Sequence, residues 1–451
     1  MDHLGRSRVT KALTDTGAAA SFDEAEARLD AVHVCIVVGA AAANTWAGQA
    51  AALTAAATAL KCFGRTTLVL AADAPLLPLF PLGATLAAAL ENLGAHLAAT
   101  PPESATHQIG VGADWMSPHA WQVHCWWDRW LTGVRCEPDA TCGDSRLGLS
   151  GVFSGALAVR QVFAWVLRGP AFRPKDATLS LWAPWDEALR PGPTQFTAPV
   201  DLWLVGLGHL GQAYVWNLLT LPYGETRRAI LQDDQKLGIE NEPTSLLSVR
   251  PFQPERKVRL AARWLEAAGW ETDLIERRNH GEMRPTLQDP PFLLAGLDDV
   301  RPRRILAGLG FEYMVDGGIG HGPADFEGLQ VRVIPRGTAI DDLWNASEPP
   351  KSRDRLLARP AYQALEQSKV GVCGAYALAR ASVAVPFVGA ATGALAVAQL
   401  VRLASGQAAG TVVQLGLGAP EMMIDGGRCT APASFLGGEH MGLYSDSSTG
   451  P

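Results

Sequence analysis

The chain has 451 residues, of which 48% are hydrophobic and 18% charged, and its formal net charge is −7. This apolar fraction can build a large core, so a wholly disordered chain is excluded. The acidic balance argues against nucleic acid or an anionic membrane as the main partner, because both attract a basic surface. Seven scattered cysteines without a CxxC pair predict a reducing, cytoplasmic setting with neither a zinc ribbon nor a disulfide framework.

Two long stretches, 31–60 and 381–401, contain no Asp, Glu, Lys or Arg and are long enough to cross a bilayer. Both are rich in Ala and Gly and are interrupted by polar residues or proline, which makes them only weakly apolar. We therefore predict buried helices and strands of a soluble protein here, and no membrane span.

Two halves of the chain share a series of landmarks. Each half opens with an apolar run that ends in glycine, passes through a helix-like stretch, and reaches a second apolar run that ends in an acid. These landmarks lie at 34–39 and Asp73 in the first half, and at 202–206 and Asp233 in the second.

The later landmarks recur in the same order. A Gly-x-Asp segment lies at 112–114 and 296–298, and a small-residue helix begins with Gly-Ala-Leu-Ala-Val at 155–159 and 393–397. Apolar strands that alternate with helices are typical of a parallel, doubly wound sheet. We predict an α/β fold in which two Rossmann-like doubly wound units in tandem form a pseudo-dimer, with an inserted cysteine-bearing segment in the second.

The two predicted units differ where chemistry would take place. In the first, Gly39 is followed by four alanines and no glycine-rich loop, so we expect this unit to be degenerate and inactive. The predicted ranges are an N-terminal, partly mobile segment (1–30), the inactive unit (31–168), a Pro-rich linker (169–199), the active unit (200–415) with its insert around 322–380, and a partly mobile C-terminal extension (416–451).

A glycine-rich loop opens the second unit. Gly206, Gly208 and Gly211 form GxGxxG between an apolar strand and a helix, a pattern that lets backbone amides and a helix N-terminus approach phosphate. Asp233, at the end of the next strand, is placed to bind ribose hydroxyls. Taken alone, these residues favour a nicotinamide-dependent oxidoreductase.

Two charged positions further along fit a different chemistry. Lys257 opens a helical run and could reach the phosphates, although flanking arginines also fit a solvated helix face. Asp298 follows an apolar strand, where its carboxylate could hold Mg²⁺ on a triphosphate. The alternative is that Asp298 or Asp299 caps the next helix.

Together these residues resemble the ThiF/ubiquitin-activating-enzyme adenylation superfamily, over about residues 199–410. The resemblance implies ATP and Mg²⁺ as cofactors. By this resemblance, Gly206, Gly208 and Gly211 form the glycine loop, and Asp233 binds ribose. Asn241 and Lys257 bind phosphate, Asp298 binds Mg²⁺, and Arg303 is the family's downstream arginine.

The chain departs from the family pattern at two positions. Thr244 stands where the family usually has a phosphate-binding arginine, and Asp299 replaces the usual asparagine. In many relatives another arginine comes from the partner subunit or pseudo-subunit, but the sequence does not locate one in the first half.

Cys373 lies between small residues, ahead of Pro386-x-x-Gly389 and the closing helix. Its position resembles that of the family's thioester cysteine, and glycines on both sides suit a loop that presents a thiol. A buried, apolar cysteine is the alternative at this position, and Cys429 is a second candidate nucleophile.

The resemblance implies ATP-dependent activation of a ubiquitin-like protein. The partner's C-terminal carboxylate would be adenylated, joined as a thioester to Cys373, and passed to a conjugating enzyme in a bacterial, defence-type (antiviral) pathway. A sulfur-carrier adenylyltransferase, a nicotinamide-dependent oxidoreductase and a non-catalytic scaffold are the alternatives, and a homodimer is left open.

Overall fold

The computed structural model describes residues 6–113, 121–138, 143, 145–224, 226–249, 251, 253–320, 325–344, 356–367, 375–376, 378–379, 383–433 and 436–443. The amino-terminal part forms two helices, α1 (Ser7–Thr16) and α2 (Phe22–Asp30). Buried Val9, Ala12 and Leu13 fix α1 to the rest of the protein. The described part of the predicted mobile segment is therefore ordered by its apolar face.

The first half is built on a seven-stranded sheet in the order β3-β2-β1-β4-β5-β6-β7. The first five strands of that order are parallel, and β6 and β7 are antiparallel to their neighbours. The strands are β1 (His33–Val38), β2 (Arg65–Leu70), β3 (His96–Leu97), β4 (His107–Val111), β5 (Trp121–Asp128), β6 (Leu131–Arg135) and β7 (Ala177–Ser180). The helices are α3 (Ala40–Ala43), α4 (Trp46–Cys62), α5 (Leu86–Asn92) and α6 (Gly148–Arg168).

The second half repeats this plan with an eight-stranded sheet in the order β11-β10-β9-β12-β13-β14-β15-β16. Its strands are β9 (Asp201–Val205), β10 (Arg227–Gln232), β11 (Trp270–Ile275), β12 (Phe292–Ala295), β13 (Tyr313–Ile319), β14 (Gly328–Pro335), β15 (Val412–Gly416) and β16 (Ala419–Asp425). Its helices are α7 (His209–Leu218), α8 (Lys257–Ala267), α9 (Val300–Ala307), α10 (Pro360–Glu366) and α11 (Pro386–Ala404), with single 3₁₀ turns at Ile239–Asn241 and Ile340–Asp342. Outside both sheets, β8 (Gln195–Ala198) pairs with β17 (Glu439–Gly442).

The two sheets confirm the predicted α/β fold with two tandem Rossmann-like units. In each sheet, the first strand of the unit lies between the second and a later strand, so the strand order reverses beside β1 and beside β9. The sheets also extend into ranges that the sequence assigned elsewhere. Strand β7 lies in the predicted linker, β14 in the predicted insert, and β16 in the predicted C-terminal extension.

Four helices, α4, α6, α7 and α11, join the halves through one continuous core. A Cβ atom on Gly155 of α6 would lie 2.5 Å from the carbonyl oxygen of Ala51 on α4. A Cβ on Gly393 of α11 would lie 2.8 Å from the carbonyl oxygen of Ala213 on α7. The repeated Gly-Ala-Leu-Ala-Val sequence therefore has one physical reason, because its glycine lets each closing helix approach a neighbouring backbone.

Helices α6 and α11 are long and apolar enough to cross a membrane, but 94% of the most apolar window of each is buried inside the protein. They contact each other at the centre of the pseudo-dimer. The other charge-free stretch, 31–60, is divided among β1, α3 and α4. These stretches form core elements, as the sequence predicts.

Candidate functional site

A cavity of about 1070 Å³ lies at the carboxyl ends of β9, β10 and β12. This is the point where the strand order reverses, which is the usual ligand crevice of an open α/β sheet. The predicted residues that line it are Gly206, Gly208, Asp233, Asn241, Lys257, Asp298 and Arg303. Residues far apart in the chain are thus brought to one place by the ends of neighbouring strands.

The glycine loop forms the floor of this cavity. Gly206 has a φ of +82°, a conformation that favours glycine, and Gly208 occupies the N-cap position of α7. A Cβ on Gly211 would lie 2.1 Å from the carbonyl oxygen of Gly206, so the third glycine allows α7 to begin close to the strand. The nearest atom to a Cβ on Gly208 would be Lys257 Nζ at 3.8 Å, which leaves open space between the loop and the ammonium group.

Asp233 and Asn241 hold the backbone around the cavity. The Asp233 carboxylate accepts hydrogen bonds from the amides of Leu207 and Gln235, both at 2.7 Å. Asn241 Oδ1 accepts the Gly238 amide at 2.9 Å. The side chain predicted to bind ribose therefore also fixes the shape of the glycine loop.

Lys257 is the first residue of α8 and is only 7% exposed. Its Nζ donates to Gln235 Oε1 at 2.6 Å, and no carboxylate among the described residues pairs with it. The alternative of a solvated helix face fits Arg259, which is 64% exposed and pairs with Glu276, but not Lys257. An ammonium group held at the cavity without a counter-charge is available to an anionic ligand.

Two neighbouring acids, Asp298 and Asp299, also line the cavity. Asp298 is exposed at the cavity and makes no hydrogen bond or ion pair with the described residues. Asp299 occupies the N-cap position of α9, but its side chain makes no capping bond. The helix-cap alternative therefore lacks its hydrogen bond, and the Asp298 carboxylate is available to a ligand.

Arg303 lines the cavity, but its guanidinium group is already engaged. It donates to the carbonyl oxygen of Leu297 from Nε at 3.0 Å and pairs with Asp316 at 3.1 Å. Burial raises the pKa of Asp316 to about 6, and the charge of Arg303 opposes that rise. Arg303 thus fixes the loop that carries Asp298.

Thr244, which replaces the family's usual arginine, is fully buried and does not line the cavity. Its carbonyl oxygen accepts a hydrogen bond from His209 Nδ1 at 2.5 Å. Burial lowers the pKa of His209 to about 4, so this imidazole is neutral near pH 7. A neutral ring therefore joins the glycine loop to the segment that contains Thr244.

His209 makes stability depend on pH. The unfolded chain binds a proton at this residue below its ordinary pKa of 6.5, whereas the folded protein does so only below about 4. Its contribution is complete above pH 6.5 and is lost as the pH falls towards 4. The free energy of unfolding should fall between pH 7 and pH 5 in both proteins. We expect this fall to be about 1 to 2 kcal/mol smaller in His209→Asn than in wild type. Urea unfolding at the two pH values measures this, and equal losses in both proteins would contradict the assignment.

Arg8, on the first turn of α1, also lines the cavity, and sequence reasoning missed it. It is half-buried, and its charge helps to lower the pKa of His209. No carboxylate in the described ranges forms an ion pair with it. This arginine comes from the amino-terminal segment ahead of the first sheet, and the sequence signal that could have indicated it is the amphipathic spacing of α1.

The cysteines that the structure describes do not fit the role of nucleophile. Cys35, Cys62, Cys125 and Cys429 are buried, Cys136 is partly buried, and none of them lines the cavity. Burial raises the pKa of Cys429. Cys373 lies outside the described residues, but Ala384, further along the same segment, lines the cavity.

Two family models match the chain, the BilD N-terminal domain over residues 33–181 and the BilD C-terminal domain over residues 198–407. A protein of Collimonas sp. (strain OK412), described as "Bacterial E1-like protein BilD", is 31% identical over 413 residues, which cover 89% of each chain. The chain belongs to the BilD family. The predicted resemblance to the ThiF/ubiquitin-activating-enzyme (E1) superfamily is therefore confirmed, and the gap between the two BilD models lies within the predicted linker.

Two solved structures show a weaker likeness to this BilD-family chain. E. coli MccB gives a TM-score of 0.34 at 11% identity, covering 55% of this chain and 67% of its own. E. coli tRNA N6-threonylcarbamoyladenosine dehydratase, TcdA, gives a TM-score of 0.28 at 16% identity, covering 45% of this chain and 84% of its own.

Proposed function

We propose that this BilD-family protein uses ATP to activate the C-terminal carboxylate of a ubiquitin-like protein, in a bacterial, defence-type conjugation pathway of the cytoplasm. The observation that carries the proposal is the composition of the cavity. Lys257 from the second unit and Arg8 from the amino-terminal segment both line it, together with a glycine loop and the Asp298 carboxylate, which has no partner among the described residues. An oxidoreductase would use the loop and Asp233 but would leave these charges without a role.

The cavity fits ATP in size and in the kind of groups it presents. Its volume of about 1070 Å³ is at the upper end of typical small-molecule sites. The amides of the glycine loop and the N-terminus of α7 would receive phosphate, and the open space beside Gly208 leads to the Lys257 ammonium group. Asp233, at the end of β10, would receive the ribose hydroxyls.

The residues present also fit Mg²⁺ bound together with a triphosphate. Asp298 offers a carboxylate at the cavity that no described residue pairs with, and oxygen is the ligand that Mg²⁺ prefers. The described residues contain no group of three or more His, Cys, Asp or Glu side chains that could hold a metal ion by themselves. Asp298 would therefore hold the ion jointly with phosphate oxygens, and the bound ion would supply neutralisation of phosphate charge.

The proposed first step is a displacement at the α-phosphorus of ATP. A carboxylate oxygen of the partner's C-terminus forms a bond to this phosphorus, the bond to the β-phosphate breaks, and pyrophosphate leaves with the electron pair. Negative charge on the phosphates must be neutralised as the reactants approach, and Lys257 and Arg8 are placed to do this. Most of the rate enhancement then comes from positioning and electrostatic stabilisation.

The proposed second step forms a thioester on Cys373. The thiolate attacks the carbonyl carbon of the acyl-adenylate, a carbon–sulfur bond forms, and AMP leaves with the electron pair. The other cysteines that the structure describes are buried or partly buried away from the cavity, which supports Cys373 as the nucleophile. A conjugating enzyme would accept the activated protein from this thioester.

A non-reducing gel after incubation with Mg·ATP and candidate ubiquitin-like proteins tests this proposal. We expect a thiol-sensitive adduct in wild type and in Cys429→Ala, and none in Cys373→Ala. A candidate that supports adenylation without any adduct would favour a sulfur-carrier adenylyltransferase instead. An adduct that persists in Cys373→Ala would contradict the assignment of the nucleophile.

A further inference from the structure

Helix α1 is attached to the inserted segment by a charged network that is almost fully buried. Lys11 and Asp15 form an ion pair on α1, and each is 2% exposed. The hydroxyl group of Tyr362, on α10, accepts from Lys11 Nζ at 2.6 Å and donates to Asp15 Oδ1 at 2.8 Å. Tyr362 itself is fully buried. The ammonium, carboxylate and hydroxyl groups of this contact thus each have a partner within it.

Further contacts surround the same point. Arg359, just before α10, donates to the carbonyl oxygen of Thr14 at 3.2 Å and also to that of Asp15, near the C-terminus of α1. The ring of Tyr362 meets Phe22 edge to face, with centroids 5.4 Å apart. The inserted segment therefore holds the last turn of α1 through its side chains and its backbone.

The contact between α1 and α10 affects the position of Arg8, which lies on the same helix. Arg8, Lys11 and Asp15 follow one another at spacings of three and four residues, so they lie on one stripe of α1. The first turn of this stripe lies at the cavity, and its later part lies against α10. Because a helix is stiff over ten residues, fixing its last turn fixes the place of Arg8.

A buried ion pair is a poor source of stability, because desolvation offsets much of the attraction between its charges. Such a pair does select one geometry, since any displacement leaves a charge buried without a partner. We propose that the Lys11–Asp15–Tyr362 network is a positioning device that holds Arg8 at the nucleotide cavity. The inserted segment thereby sets the affinity for Mg·ATP. This inference rests on the proposed function, in which the cavity binds ATP.

A double-mutant cycle on Mg·ATP affinity, measured by calorimetry on the full chain, tests the proposal. Asp15→Asn keeps the size of the side chain but removes the charge opposite Lys11, and Tyr362→Phe keeps the ring but removes the hydroxyl group. Each is combined with Arg8→Ala. Tyr223→Phe is the matched control, because it removes a buried hydroxyl that donates to the carbonyl oxygen of Pro199 at 3.1 Å.

We expect Asp15→Asn to weaken Mg·ATP binding about tenfold or more, and Tyr362→Phe about three- to tenfold. Neither change should weaken binding further in the Arg8→Ala background, and Tyr223→Phe should bind like wild type. Losses of equal size in both backgrounds, or no loss in either variant, would overturn the positioning role. A wild-type protein that does not bind Mg·ATP would instead overturn the proposed function.

Discussion

Lys257→Ala is expected to lower the rate of ATP–pyrophosphate exchange about a thousandfold, with the fold unchanged. The ammonium group is held at the cavity by Gln235 and has no acidic partner among the described residues, so its charge is free to act on a triphosphate. Its removal leaves part of the phosphate charge uncompensated in the transition state. Isotope exchange in the presence of a competent ubiquitin-like protein measures the loss.

Arg259→Ala is the matched control for this variant. Arg259 lies on the same helix, is 64% exposed and pairs with Glu276 at 2.7 Å, outside the cavity. Removing it should leave exchange within about twofold of wild type, because an exposed ion pair contributes little. An exchange rate in Lys257→Ala that matches this control would exclude Lys257 from the reaction.

Arg8→Ala is expected to lower the exchange rate about a hundredfold. The guanidinium group comes from the amino-terminal segment, lies beside His209 and the glycine loop, and would place a second positive charge on the phosphates. It would thus supply the charge that Thr244 cannot supply in place of the family's usual arginine. Deletion of residues 1–16 should produce a loss at least as large.

The control for Arg8 is Arg28→Ala on α2. Arg28 is 43% exposed and forms its ion pair with Glu24, away from the cavity. Its exchange rate and its melting temperature should match wild type. Full activity in Arg8→Ala would mean that adenylation does not need the cation from the amino-terminal helix, and would contradict the role proposed for Arg8.

Much of the site follows from the sequence because its residues occupy the ends of parallel strands. Asp233 follows β10 and Asp298 follows β12, and both strands lie beside β9, which leads into Gly206. Alternating strands and helices predict this topology, and the topology places Asp233, Asp298 and Gly206 close together. Side-chain packing is not needed for this prediction. The repeat of the sheet order in the first half was predictable for the same reason.

Other features depend on tertiary contacts that no local pattern encodes. Arg8 lies at the cavity because α1 packs on the core through its apolar face and contacts α10 through Lys11 and Asp15. Arg303 donates to the carbonyl oxygen of Leu297 and pairs with Asp316, and the ion pair depends on where β13 places the buried carboxylate of Asp316. Three strands at the antiparallel edges, β7, β14 and β16, lack the strand–helix alternation that identifies the parallel strands, so the sequence places their ranges in a linker, an insert and an extension.

Exchange of labelled pyrophosphate into ATP shows whether the protein adenylates a carboxylate at this cavity. With Mg²⁺ and a ubiquitin-like partner that ends in a free carboxylate, we expect label to enter ATP, and to enter equally well in Cys373→Ala. The same partner without its last residues should give no exchange. Binding of a nicotinamide dinucleotide at this cavity, with no exchange for any candidate partner, would contradict adenylation by this protein.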